Sequence, residues 1–175
     1  MHIVEASDAD LGDVLFVERS AFGGEEEAEL VRDLLDDPSA VPALSLLARE
    51  AEKPVGHILF TGARLVGRDD IPVAILAPLA VTPDAQRAGV GGRLIEDGIA
   101  RLESAGVSLV FVLGHPDYYP RHGFVPALPL GLAAPYPITP EEAWMVRALQ
   151  PELLGRVQGT VKCADAMDKP ELWRE

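Results

Sequence analysis

One run of eleven residues constrains this chain more than any other feature. Every position in Ile71-Pro72-Val73-Ala74-Ile75-Leu76-Ala77-Pro78-Leu79-Ala80-Val81 is apolar. A strand with one wet face alternates apolar and polar residues, and a run that does not alternate is buried on both faces. The segment predicts a central strand covered above and below. Pro78 has no N–H to give to a ladder, so it predicts a bulge or a point where pairing with a neighbour fails. Thr82-Pro83-Asp84 ends the strand, and Gln86 to Gly92 forms a glycine-rich turn. Gly91 to Ala105 then reads as a helix, with Leu94, Ile95, Ile99 and Leu102 on one face, an Asp97–Arg101 pair one turn apart, and Gly106 as its stop.

The flanking sequence fixes the kind of sheet. His2 to Ala6 is a strand, and Ser7 or Asp8 caps a helix carrying Leu11, Val14, Leu15 and Val17; Glu25 to Leu35 is a second helix. Leu44 to Glu50 and Val55 to Leu65 are strands on either side of a Lys53-Pro54 turn. Ser108 to Leu113 is a second buried strand, Pro116 to His122 a short polar helical piece, and Ala143 to Leu149 a last strand. Five prolines between 125 and 140 exclude a regular helix there. The order β-α-α-β-β-β-α-β-α-β has short early connections, hence antiparallel pairs. Only the Ile71 strand feeds a parallel helical crossover. The fold class is α/β in the mixed, α+β sense. Residues 1–150 read as one domain, with 151–175 as a C-terminal extension packed on it.

Fifteen Lys and Arg against 28 Asp and Glu give a net charge of −13. Such a surface disfavours nucleic acid and anionic lipid and is compatible with a cationic partner such as an amine. A single cysteine, Cys163, excludes an intrachain disulfide and a Cys-based zinc site. The N-terminus lacks a basic and apolar leader, and no apolar stretch approaches membrane length, so a cytoplasmic protein is expected. His115, Asp117 and His122 match no metal-ligand spacing, and no G-x-S-x-G elbow is present.

The sharpest chemical feature is Gln86-Arg87-Ala88-Gly89-Val90-Gly91-Gly92 between the buried strand and the amphipathic helix. A helix start carries unsatisfied N–H groups and partial positive charge, and glycines let a ligand approach that backbone, so phosphate is its natural occupant. A P-loop fails, because Arg93 and Leu94 stand where Lys and Ser or Thr are needed. A dinucleotide fingerprint fails, because Leu94 stands at its third glycine and Leu109-Val110 where the acidic residue belongs. A plain glycine turn remains the alternative.

Leu79-Ala80-Val81-Thr82-Pro83 followed by Gln86-Arg87-Ala88-Gly89-Val90-Gly91 resembles the acetyl-CoA-binding motif of the GCN5-related N-acetyltransferases. Tyr118-Tyr119-Pro120-Arg121-His122-Gly123-Phe124 resembles that family's tyrosine followed by x-x-x-Gly-Phe, and the similarity covers about residues 1–150. It is closest to a bacterial, YhbS-like subgroup. The resemblance implies a mostly antiparallel mixed sheet with splayed central strands flanked by helices. It implies acetyl-CoA as cofactor, with its pyrophosphate on the amides of Arg87 to Gly92 and Gln86 alongside. It implies the pantetheine arm along Leu79, Ala80 and Val81, and a Val81 N–H receiving the carbonyl oxygen. Tyr119 falls at the position of the general acid, with Tyr118 as the packed aromatic. The acceptor implied is a primary amine on a small molecule or peptide, and a homodimer is common among such proteins.

Two departures stand out. The family's central-strand Glu is missing from residues 71–83, leaving Glu25, Glu26 and Glu27 as substitutes for the base or simply as a solvated helix start. The family's Asn before the tyrosine is replaced by Val112 to His115. A non-catalytic acyl-CoA-binding regulatory module on the same fold is the main rival, and a nucleotide-binding enzyme using the same turn is a weaker one.

Overall fold

The computed structural model describes residues 1–174. In chain order the regular elements are β1 (His2–Glu5), α1 (Leu11–Phe22), α2 (Glu26–Leu35), β2 (Leu44–Glu50), β3 (Lys53–Leu65), β4 (Val73–Val81), α3 (Val90–Ser104), β5 (Leu109–Leu113), β6 (Val125–Pro126), β7 (Leu132–Ala133), β8 (Trp144–Ala148) and β9 (Gly159–Lys162). They form one mixed sheet in the order β1-β2-β3-β4-β5-β8-β6, with β9 pairing β3 and β7. Along the main path only β4 and β5 are parallel, as the single helical crossover through α3 requires.

Val73 to Leu76 of β4 are buried as expected, because helices cover both faces there, whereas Pro72 is exposed and Ala77, Pro78, Leu79 and Val81 are only half-buried, since β5 has stopped pairing beside them. Val14 and Val17 of α1 and Val31 and Leu34 of α2 pack on one side with Leu47, Leu59 and Ile75. Leu94, Ile95, Ile99 and Leu102 of α3 pack on the other with Ile58, Phe60 and Leu76. Residues beyond 150 join the first of these layers: Val161, Cys163, Met167 and Trp173 are buried within it.

Some boundaries differ from those expected. The Ser7 cap closes a 3-10 turn, Asp8–Asp10, with Ser7 N–H donating to Asp10 Oδ2 at 2.9 Å, and α1 starts only afterwards. The β2–β3 turn is Ala51-Glu52, with Ala51 left-handed at φ 52°, so Lys53 and Pro54 already belong to the strand. The polar piece after β5 is a single 3-10 turn, Tyr119–His122, too short to act as a crossover helix.

Candidate active site

The sheet comes apart where the sequence places Pro78. β4 and β5 pair from Val73 with Leu109 to Leu76 with Val112, and there the pairing stops. Against β3 the register steps from Phe60–Leu76 to Ile58–Leu79, so Ala77 and Pro78 together oppose Leu59. This bulge reverses the alternation: Leu76 and Leu79, three residues apart, both face the α3 layer. Thr82 N–H donates to Val55 O at 2.9 Å. By the alternation of an antiparallel ladder, Ala80 also turns its backbone groups to β3, where it opposes His57. The backbone groups of Leu79 and Val81 then point the other way, into the gap β5 has left. Gln86 holds the end of this edge, its Nε2 donating to Val81 O at 3.2 Å. Ala80 contributes little else, since its side chain is buried in the α1 layer.

A cavity of about 440 Å³ occupies the gap. Pro78 and Leu79 line it from β4, and Gly114 and His115 from the end of β5. Tyr119 lines it as well and is only 8% exposed. The backbone turn from His115 carries the tyrosine there: both Tyr118 and Tyr119 N–H groups donate to His115 O, at 3.1 and 3.3 Å. Gly123 closes the turn in the left-handed conformation at φ 84°. The Tyr119 ring is wedged edge-on between Tyr118 and Phe124, with centroids 5.0 and 5.6 Å away. A third side rests on Gly114, where a Cβ would lie 2.3 Å from Cε2.

The glycine turn lies outside the cavity, at the start of α3. Arg87 at φ 65° and Gly89 at φ 83° are both left-handed, and Gly89 leads directly into the helical Val90, a turn whose successive N–H groups can face one anion. The helical ladder opens with Arg93 N–H donating to Gly89 O at 3.1 Å, which leaves the amides before it as the orphan donors of a helix start. The three glycines do different jobs. Gly89 faces open space. A Cβ on Gly91 would lie 2.6 Å from Tyr118 Oη, and one on Gly92 2.9 Å from His122 Cε1. Those two make room for the Tyr118–His122 turn, so that turn and the helix start are packed as a unit. Val90 is buried beneath, and Gln86 to Gly89 are exposed. Burial pushes the half-buried Tyr118 hydroxyl above its ordinary pKa.

The three acidic candidates for the role of a strand carboxylate stand at the start of α2. Glu26 and Glu27 line the cavity, whereas Glu25 is held by Arg19 Nε at 2.5 Å. Burial, reinforced by the neighbouring Glu26 charge, holds the Glu27 carboxyl above the ordinary range. The structure therefore divides the sequence-predicted residues in two. Leu79 and Tyr119 line the cavity; the Val81 edge and the Gln86–Gly92 turn lie toward its α3 side.

Two features were not foreseen. Glu171, Leu172 and Trp173, from the weakly patterned C-terminal stretch, also line the cavity. A buried tryptophan in a tail otherwise read as an appendage was the available signal. Behind α1, the fully buried Glu18 and His57 meet at 2.6 Å (Oε2 to Nδ1), and His57 Nε2 meets Ser45 Oγ at 2.8 Å. Burial raises the Glu18 carboxyl, and its Oε1 has no partner. Among the described residues no cluster of His, Cys, Asp or Glu suits a metal ion, and no helix is long and apolar enough to cross a membrane.

A family model described as an acetyltransferase (GNAT) domain matches residues 43–126. The chain is 54% identical over 169 residues to the uncharacterized N-acetyltransferase YjhQ of Escherichia coli (strain K12), covering 94% of this chain and 91% of that protein. The chain belongs to the GNAT family of N-acetyltransferases. Among solved structures, the GNAT family N-acetyltransferase YhbS from Escherichia coli in complex with CoA superposes with a TM-score of 0.88 at 28% identity, covering 96% of this chain and 92% of YhbS. A GNAT family acetyltransferase from Brucella melitensis in complex with acetyl-CoA gives 0.76 at 29% identity, covering 95% and 97%. The mixed, mostly antiparallel sheet with its central splay is thus the GNAT fold.

Proposed function

We propose that this GNAT protein transfers an acetyl group from acetyl-CoA to a primary amine within a ternary complex. One observation carries the reading: the β4–β5 gap brings an open backbone edge, a buried tyrosine and a partly desolvated carboxylate to one cavity. The turn from Arg87 to Gly89 and the helix start after it fit a diphosphate, and the edge of Leu79 and Val81 that faces the gap fits an amide-bearing arm that runs like an extra strand. Acetyl-CoA supplies the thioester, a carbonyl activated for attack by a neutral amine.

Each remaining role falls to a residue of the chain. The Val81 N–H donates to the carbonyl oxygen as negative charge gathers there. An amine that arrives protonated first gives up that proton through Glu27 to solvent; once bonded to carbon its nitrogen becomes strongly acidic, and Glu27 takes the second proton. Its raised pKa makes it a better base than a solvated Glu. The Tyr119 O–H gives a proton to the departing sulfur. A tyrosine hydroxyl, with an ordinary pKa of about 10, is protonated at neutral pH and able to do so. The atoms balance: the C–S bond breaks, a C–N bond forms, and CoA leaves as the thiol.

The rival reading, a non-catalytic acyl-CoA-binding module, gives no catalytic role to Glu27 and Tyr119, which line the same cavity. The test is a screen for acetyl-CoA-dependent thiol release across amines, polyamines, aminoglycosides and peptides. Amine-dependent release supports transfer, and tight CoA binding without release to any amine supports the module.

A further inference from the structure

One half of the cavity lies away from the splayed strands. Beyond Tyr119 and the β4–β5 gap it is bounded by the corner between α1 and α2 and by the C-terminal stretch. Two large apolar side chains at this end, Phe22 and Leu172, are 47% and 37% exposed, and Leu30 and Trp173 continue the apolar surface inward. Carboxylates stand on both sides: Glu26 and Glu27 on α2, Glu171 on the C-terminal stretch, with Arg174 beside the last.

The C-terminal wall is anchored. Trp173 Nε1 donates to Met167 O at 2.9 Å, and its ring stands edge-on to Trp144 with centroids 5.6 Å apart. Trp144 in turn stacks on Phe111 of β5 at 5.1 Å. Asp165 and Ala166 N–H groups donate to Ser39 Oγ and Asp37 Oδ2, at 2.8 and 2.9 Å. An acceptor must therefore fit between α2 and a wall tied to the sheet.

Resting on the acetyltransferase reading, we propose that this half of the cavity selects a free small molecule carrying a primary amine on an apolar body. Glu26 and Glu171 draw the cation in, and Phe22, Leu172 and Trp173 hold the body. The whole cavity, gap included, is about 440 Å³, so the half left to the acceptor has room for a small molecule only. The carboxylates set the sign of the ligand, and the apolar walls bury its body. A lysine on a protein would bring peptide N–H and C=O groups against Phe22 and Leu172, whose side chains offer no hydrogen bond, and burying unpaired peptide groups is costly. A short diamine would leave the apolar walls uncovered.

The test compares 2-phenylethylamine, putrescine and a lysine-containing peptide as acceptors with the full-length protein. It adds calorimetric titration of 2-phenylethylamine into CoA-saturated protein. The expected result is a kcat/KM for 2-phenylethylamine at least ~10-fold above the other two. In Leu172→Asp, at an exposed position, KM for that amine should rise about 10-fold with kcat unchanged, while KM for CoA stays put. If the peptide or putrescine is the better substrate, or if Leu172→Asp leaves KM unchanged, the acceptor inference falls and the acetyltransferase reading stands. If no amine releases thiol but 2-phenylethylamine binds CoA-loaded protein and Leu172→Asp removes that binding, the transfer reading falls and the acceptor site stands. If 2-phenylethylamine neither binds nor reacts, the acceptor inference is wrong.

Discussion

Gly114→Ala puts one methyl group against the proposed acid. The new Cβ would sit 2.3 Å from Tyr119 Cε2 and 2.8 Å from Cδ2, against an ordinary contact of 3.4–4 Å. The ring must retreat by about 1 Å, and it has little room, because Phe124 is 1% exposed behind it and Tyr118 stands at its edge. Overpacking of this kind costs about 1–3 kcal/mol, which a domain stable by ~5–15 kcal/mol survives. A reacting group displaced by ~1 Å costs on the order of 100-fold in rate. The expected kcat is therefore down ~100-fold at saturating amine, with CoA affinity within a few-fold of the unaltered protein. Thiol release followed with a chromogenic disulfide, alongside CoA calorimetry, measures both. Tyr119→Phe should lower kcat by ~100-fold to 10,000-fold, the usual share of a general acid. Since both changes act through one hydroxyl, the double variant should be no slower than Tyr119→Phe alone. A Gly114→Ala enzyme with undiminished kcat, or a double variant whose losses multiply, would refute the placement of Tyr119.

Two further expectations concern titrating groups. Burial pushes the Cys163 thiol up to about 11, so at pH 8 only about one thiol in a thousand is ionised; the native chain should react with Ellman's reagent far more slowly than the unfolded one, and equal rates would show the C-terminal stretch unpacked. Burial holds the Glu27 carboxyl above its ordinary value, so it gives up its proton at a higher pH than a solvated Glu and works as a base once it has done so. The acidic limb of the kcat profile should sit above pH ~4.3 and disappear in Glu27→Gln, whereas an unchanged limb would assign the base elsewhere.

The parts of the fold written in periodic apolar sequence were legible. β2 runs from Leu44 to Glu50 as read, and α3 starts at Val90, one residue before the expected Gly91. Pro78 gave both the bulge and the end of β4–β5 pairing, because a missing N–H leaves few ways to stay in a central strand. Residues held by long-range contacts left no such trace. β6 and β7 have two residues each and β9 four, too short for any period to register. Lys53 and Pro54 look like a turn, yet they pair with Glu50 and Arg49 because Ala51 takes the left-handed position instead. At the site, the glycine turn and the tyrosine were visible as motifs. That Gly91 and Gly92 serve the Tyr118–His122 turn was hidden, since close packing between distant segments has no local signature.

The central claim is that exposed amides at the start of α3 grip a diphosphate. Backbone amide chemical shifts of the isotopically labelled protein, titrated in parallel with CoA and with pantetheine, test it most directly. Pantetheine carries the same arm without the phosphates. The account predicts large shifts at Arg87 to Gly92 with CoA and little change there with pantetheine, while the Leu79 and Val81 amides respond to both. Equal responses of residues 87–92 to the two compounds, or none to CoA, would contradict it.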